Sequence, residues 1–188
     1  MKVLDLTNSD IEKSCELLIA QFDRQFDLLV GIAEGGRIIA ETIAGKLNLP
    51  LLMVAKQRRL TQHKKKAKTV FKYFPKPLLN FARIAENRFY EITMKLKTSE
   101  KTDEITVISA DCSFFDNPQI RNVLIIDDAI DSGATAASVE KFLMEKNKNW
   151  QMQVAVITQT FNRPIRNADY QLYNKTLIRF PWSNDFKQ

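Results

Sequence analysis

Residues suited to thiol and imidazole chemistry are scarce in this chain. Its two cysteines, Cys15 and Cys112, lie far apart and outside any CxxC pattern, and there is a single histidine. So few ligands give no basis for a disulfide framework or a His/Cys metal cluster, and neither cysteine is expected to be catalytic. Long apolar runs are missing as well. No stretch approaches the roughly 18 uninterrupted apolar residues of a spanning helix, so no transmembrane segment is expected. The opening MKVLDLTNSDIEKS has no basic segment followed by an apolar run. It does not read as a secretory signal, and a cytoplasmic location is expected. Internal repeats and low-complexity linkers are also lacking.

Acidic residues are missing from one segment only. KQRRLTQHKKKAKTVFKYFPK, from Lys56 to Lys76, holds nine Lys and Arg residues and no Asp or Glu. The whole chain carries +6, so the remainder sums to about −3 and the basicity is local. Any anionic partner is to be sought there.

What is present is a core. At 45% apolar content, 188 residues suffice for one domain, 1–188, with a full interior. NSDIEKSCELLIAQFDRQF reads as an amphipathic helix: Ser9 and Glu12 have capping-box spacing, and Ile11, Cys15, Leu18, Ile19 and Phe22 recur at helical period. LLVGIA, Leu28 to Ala33, reads as a strand buried on both faces. After Gly35 and Gly36 a helix is expected, with Ile38, Ile39, Thr42, Ile43 and Leu47 turned inward, and then a second strand from Leu51 to Ala55. Strand, turn, helix, strand is the βαβ unit.

The basic segment then interrupts the alternation. A helix is expected from Pro77 to about Leu96, and a strand from Glu104 to Ala110. NVLIID is the clearest buried strand. The helix TAASVEKFLMEKNK follows, with Ala137, Val139, Phe142 and Leu143 inward, then the strand QMQVAVITQT and two short β segments, DYQLY and KTLIRF. The fold class is α/β, with a central parallel sheet of about five strands flanked by helices and a smaller lobe from the insertion, the tail or both.

The chemistry concentrates in VLIIDDAIDSGAT, Val123 to Thr135. In an open parallel sheet, ligands bind beyond the carboxyl ends of the strands. Asp127 and Asp128 stand at such an end. The turn after them offers consecutive backbone N–H groups, the hydroxyls of Ser132 and Thr135, and Gly133 at the start of a helix, which together make an anion cradle suited to a phosphate. The two carboxylates would repel that phosphate on contact, so they suit hydroxyl groups or a divalent cation nearby. A molecule with a phosphate at one end, a diol between and a metal-bound diphosphate at the other satisfies every part.

That thirteen-residue run closely resembles the signature of type I phosphoribosyltransferases, which bind 5-phosphoribosyl-1-diphosphate (PRPP). It keeps the apolar strand, the acidic pair, the third Asp, the hydroxyl residue, the Gly and the closing Thr; Ala134 stands where many members have Gly. GIAEGGRIIAETIA is similar to the family's diphosphate loop, in which a strained peptide bond, often cis, turns N–H groups toward the diphosphate. By that likeness the unusual bond is Ala33–Glu34, and Glu34 stands where a Lys or Arg is frequent. The tail from Ala155 to Trp182 looks like that of bacterial xanthine–guanine phosphoribosyltransferases. There a lysine that reads the purine 6-oxo group is replaced near Thr160. FPW also reads simply as the end of a packed strand, with Trp182 in the core.

The resemblance implies the type I fold, with a basic, partly helical insertion at 56–103 and a C-terminal hood at 159–188. It implies Mg²⁺-dependent transfer of a phosphoribosyl group to a nitrogenous base, purine-like, with release of diphosphate. Ser132, Gly133, Ala134 and Thr135 would hold the 5′-phosphate, and Ala33, Glu34, Gly35 and Gly36 the diphosphate. Lys56, Arg58 and Arg59 lie where the family carries a mobile loop that closes over the diphosphate. Asp127 and Asp128 would meet the ribose hydroxyls and, directly or through water, Mg²⁺. Asp131 matches the family position that accepts a proton from a purine nitrogen, Leu177 the one that stacks on the base and Ile178 the neighbouring main-chain contact. A homodimer is expected of this class, and the basic segment offers a surface for nucleic acid or an anionic membrane. The fold also serves a second reading, a non-catalytic PRPP-sensing regulator that touches nucleic acid through that segment.

Overall fold

The strand that carries the signature is also the centre of the sheet. In the computed structural model, which describes residues 1–56, 105–109, 112–183 and 186, β5 (Asn122–Ile130) pairs in parallel with β2 (Leu28–Ala33) on one side and β6 (Gln151–Gln159) on the other. Outward from β2 lies β3 (Leu51–Lys56), and outward from β6 lies β7 (Tyr170–Asn174), both parallel. The parallel strands number five, close to expectation, but the fifth is the tail segment Tyr170–Asn174. A sixth, β4 (Ile105–Val107), adds antiparallel to the β3 edge and is shorter than the 104–110 stretch assigned to it from the sequence. The basic insertion beyond Lys56, with Arg58, Arg59 and the helix expected from Pro77, lies outside the described residues.

Alternation along β5 explains the layers. Leu124 and Ile126 face a cluster built with α1 (Asn8–Ile19) and α2 (Arg37–Leu47), while Val123 and Ile125 face one built with α3 (Ala134–Lys146) and Trp150. Within α2 the buried stripe is Ile39, Ala40, Ile43 and Ala44. Ile38 is 43% exposed. Thr42, expected inward, instead returns its hydroxyl to the Ile38 carbonyl at 2.7 Å. In α3 the buried residues are Ala136, Val139 and Leu143, with Ala137 and Phe142 only half-buried. No described helix is long and apolar enough to cross a membrane.

Two local features differ from the sequence reading. Helix α1 starts two residues earlier than Ser9 and Glu12 suggest: Thr7 accepts from Asp10 N at 3.3 Å and Asp10 Oδ2 accepts from Thr7 N at 2.9 Å. Both pairs have capping-box spacing, and Thr7 is the extended residue at which the chain turns into the helix. The helix stops at Ile19, so Phe22 and Phe26 leave it and pack against Tyr170 instead. The second feature is β1 (Lys2–Asp5), which was not foreseen. It is short and partly exposed, and it exists through parallel pairing with β8 (Thr176–Arg179), Val3 opposite Leu177 and Leu4 opposite Ile178. Buried Arg179 closes that pair with a 2.9 Å contact to Asp5.

Topology places the site. From β2 the chain crosses to β3 on one side, and from β5 it crosses to β6 on the other. The loops leaving β2 and β5 therefore part company, and the crevice between them at the strands' carboxyl ends is the switch point of the sheet.

Candidate active site

Pairing between β2 and β5 ends at Gly31 and Ile126, whereas β5 and β6 stay paired as far as Ile130 and Gln159. Asp127 and Asp128 are thus the first residues of β5 free of the β2 ladder, held rigid from the β6 side. Asp127 Oδ1 accepts from Asp128 N at 2.9 Å. Asp128 Oδ2 accepts from Trp182 Nε1 at 3.1 Å. Burial pushes the Asp128 carboxyl above its ordinary value; the indole N–H opposes that push and the charge of Asp131 adds to it.

The loop after β2 presses onto this pair. A Cβ on Gly35 would lie 2.2 Å from Asp128 Oδ2, and one on Gly36 would lie 2.8 Å from Asp127 Cα. At Gly36 the obstacle is backbone, so no side chain fits; at Gly35 it is the Asp128 carboxylate, which a side chain would displace. The Ala33–Glu34 peptide bond is cis, at the position the resemblance indicated. Glu34 is exposed, and its carbonyl accepts from Arg37 N at 3.3 Å where α2 begins.

The turn after Asp131 leads into a helix, as the sequence suggests. Gly133 takes a left-handed φ of 75° and serves as N-cap of α3. Its Cβ position is filled by the Arg166 backbone, whose carbonyl oxygen would be 2.5 Å away. Ser132 Oγ accepts from Ala134 N at 3.3 Å, and its carbonyl accepts from Ile165 N at 2.8 Å. The segment between β6 and β7 therefore backs the turn. Arg166 anchors that segment through Glu140 at 3.0 Å and Asp169 at 2.7 Å.

Asp131 is exposed, and its Oδ1 accepts from the Thr160 hydroxyl. Thr160 is itself tied to the Ile130 carbonyl by its backbone N–H at 2.9 Å. Lys56 directs its ammonium to the first turn of α3, 3.3 Å from Ser138 Oγ and 3.5 Å from the Ala134 carbonyl. Leu177 and Ile178 are both buried on β8, and Ile178 belongs to the core cluster with Leu6 and Tyr170. Trp182 is not an interior residue: it is half-buried and faces Asp128.

The structure thus gathers Asp127, Asp128, Gly35, Gly36 and Trp182 around one crevice, with the Ser132–Thr135 turn on the strand's continuation. The sequence assigns no catalytic or binding role to Thr160 or Trp182, and places Trp182 in the core. The signal for Trp182 was its place just after a strand whose neighbour is the chain's first strand, which no local pattern reveals. Among the described residues no group of three or more His, Cys, Asp or Glu side chains gathers to hold a metal. Two adjacent carboxylates nonetheless suit Mg²⁺, which is commonly held by one or two carboxylates with substrate oxygens completing the shell.

The comparisons with known proteins agree with this geometry. The family model of the phosphoribosyl transferase domain matches residues 5–180, and the chain belongs to that family of transferases. No curated protein matches the sequence significantly. Among solved structures, the purine phosphoribosyltransferase of Pyrococcus horikoshii has a TM-score of 0.61 at 17% identity, covering 97% of this chain and 95% of that one. The xanthine-guanine-hypoxanthine phosphoribosyltransferase of Helicobacter pylori has 0.62 at 14%, covering 96% and 91%. A hypothetical protein from Neisseria gonorrhoeae with bound ppGpp has 0.59 at 17%, covering 96% and 89%. At these identities the likeness establishes the shared fold.

Proposed function

We propose that the chain transfers the 5-phosphoribosyl group of PRPP to a purine-like nitrogenous base with Mg²⁺, releasing diphosphate. The observation that carries this reading is the meeting of the Gly35 turn with Asp128 at the switch point, one strand end away from an anion cradle. Read in this way, the Gly35 turn, the acidic pair and the Gly133 turn take the diphosphate, the ribose and the phosphate of PRPP respectively.

In this reading Ser132, Gly133, Ala134 and Thr135 hold the 5′-phosphate with backbone N–H groups and the positive end of α3. Asp127 and Asp128 accept from the ribose hydroxyls and present oxygens to Mg²⁺. Bound Mg²⁺ would neutralise charge on the diphosphate. Ala33 to Gly36 cradle that diphosphate, and Lys56, Arg58 and Arg59 are the cations that the resemblance assigns to it. The bond from C1′ to the diphosphate oxygen breaks and the bond from C1′ to a base nitrogen forms, through a ribose with oxocarbenium character. The nitrogen's proton passes to Asp131, which Thr160 holds. Leu177 and Ile178 border the base. Most of the acceleration comes from positioning and charge stabilisation, not from covalent chemistry.

The names of the Pyrococcus and Helicobacter neighbours make purines the first acceptors to try. The test incubates the protein with Mg²⁺, PRPP and a panel of bases and measures released diphosphate. Release with one or more bases is expected. PRPP binding without release across the panel would favour the regulatory reading, which Glu34, standing where a Lys or Arg is frequent in the family, also favours.

A further inference from the structure

Trp182 sits where three distant segments converge. Its indole lies flat on Phe180, with centroids 4.9 Å apart and planes 10° from parallel. Phe180 is buried and fixed by a turn in which its N–H donates to Ser183 Oγ at 3.1 Å and its carbonyl accepts from Ser183 N at 2.8 Å. The ring is therefore seated from behind, by the small β1–β8 sheet. Its polar edge points forward, to Asp128 Oδ2 at 3.1 Å. That oxygen is also the atom nearest to the position of a Cβ on Gly35.

An indole N–H can donate and cannot accept. It therefore orders a carboxylate while leaving the remaining acceptor sites of that carboxylate, of about four in all, for other donors. We propose that Trp182 is a positioning residue for PRPP: its N–H fixes the Asp128 carboxylate against the Gly35 turn so that the remaining lone pairs meet the ribose hydroxyls. The inference rests on the ribose role of Asp128 stated above. A packing role alone would be met by any flat ring at this position; the positioning role needs the N–H.

The test compares wild type, Trp182→Phe and Trp182→His by calorimetric titration with Mg–PRPP, alongside KM for the base. Trp182→Phe keeps the stacked ring and loses the donor. It should bind PRPP about ten- to a hundredfold more weakly, the range for a hydrogen bond to a charged group, with KM for the base unchanged. Trp182→His, which restores a ring N–H, should recover part of the loss.

An independent readout uses emission. The chain has two tryptophans, and Trp150 is buried with its Nε1 unpartnered in the structure. Trp150→Phe therefore removes an unsatisfied donor and leaves Trp182 as sole reporter, whose emission should change saturably with Mg–PRPP. Wild-type binding together with unaltered affinity in Trp182→Phe and unmoved Trp182 emission would overturn the inference and leave the functional reading standing. Absence of PRPP binding by wild type would overturn both.

Discussion

Thr160 donates its hydroxyl to Asp131 Oδ1 across the carboxyl ends of β6 and β5. The contact holds an otherwise exposed carboxylate in one orientation beside the crevice. If Asp131 takes the base proton, losing this hydrogen bond should slow the chemical step and spare donor binding. Thr160→Val, nearly isosteric, is expected to lower kcat by about three- to tenfold, less than the full range for a bond to a charged group because water can replace the hydroxyl at this exposed carboxylate. Calorimetric affinity for Mg–PRPP should stay at the wild-type value. A variant with unchanged kcat would remove Thr160 from the mechanism.

Two glycines in helices or their caps should answer oppositely to alanine. At Gly133 an added Cβ meets both a left-handed φ of 75° and the Arg166 backbone 2.5 Å away. The left-handed conformation alone costs a non-glycine residue about 1–3 kcal/mol, so Gly133→Ala should lower Tm by several degrees. Gly45 lies inside α2 with nothing within 4 Å of the new methyl. Gly45→Ala should raise stability by about 1 kcal/mol. Urea titrations of both variants check the pair of signs.

Burial pushes the Cys15 thiol up to about 11, while Cys112 is exposed. One thiol per folded chain should therefore react rapidly with a disulfide reagent near pH 8, and the second only on unfolding. The sign for stability follows from linkage: the folded value lies above the ordinary 9.0, so this contribution is intact below pH 9 and is lost as pH rises toward 11. Rapid labelling of both thiols in the folded protein would contradict the packing of α1.

The sheet's centre was legible because β2 and β5 are buried on both faces, which leaves the short apolar runs typical of a parallel sheet. The site was legible for a related reason: adjacent carboxylates and a glycine turn immediately after such a strand have few inexpensive structural explanations. What escaped notice depends on contacts between the chain's ends. β1 is four residues long and partly exposed, and it pairs with β8 across almost the whole sequence. Trp182 reaches Asp128 only because that pairing carries the tail over the crevice. Thr7 displaced Ser9 as the cap because two identical spacings lie two residues apart, and the turn out of β1 selects the earlier.

The claim on which the account stands is that Asp128 serves PRPP, and Asp128→Asn measures it most directly. An asparagine keeps the shape and can still accept the Trp182 N–H through its side-chain carbonyl, so the variant removes the charge and one acceptor oxygen while sparing that contact. Titrated calorimetrically with Mg–PRPP, wild type should bind saturably and Asp128→Asn should bind at least about tenfold more weakly, with Tm near wild type. Equal affinity in the two proteins, or no binding by wild type, would contradict the account.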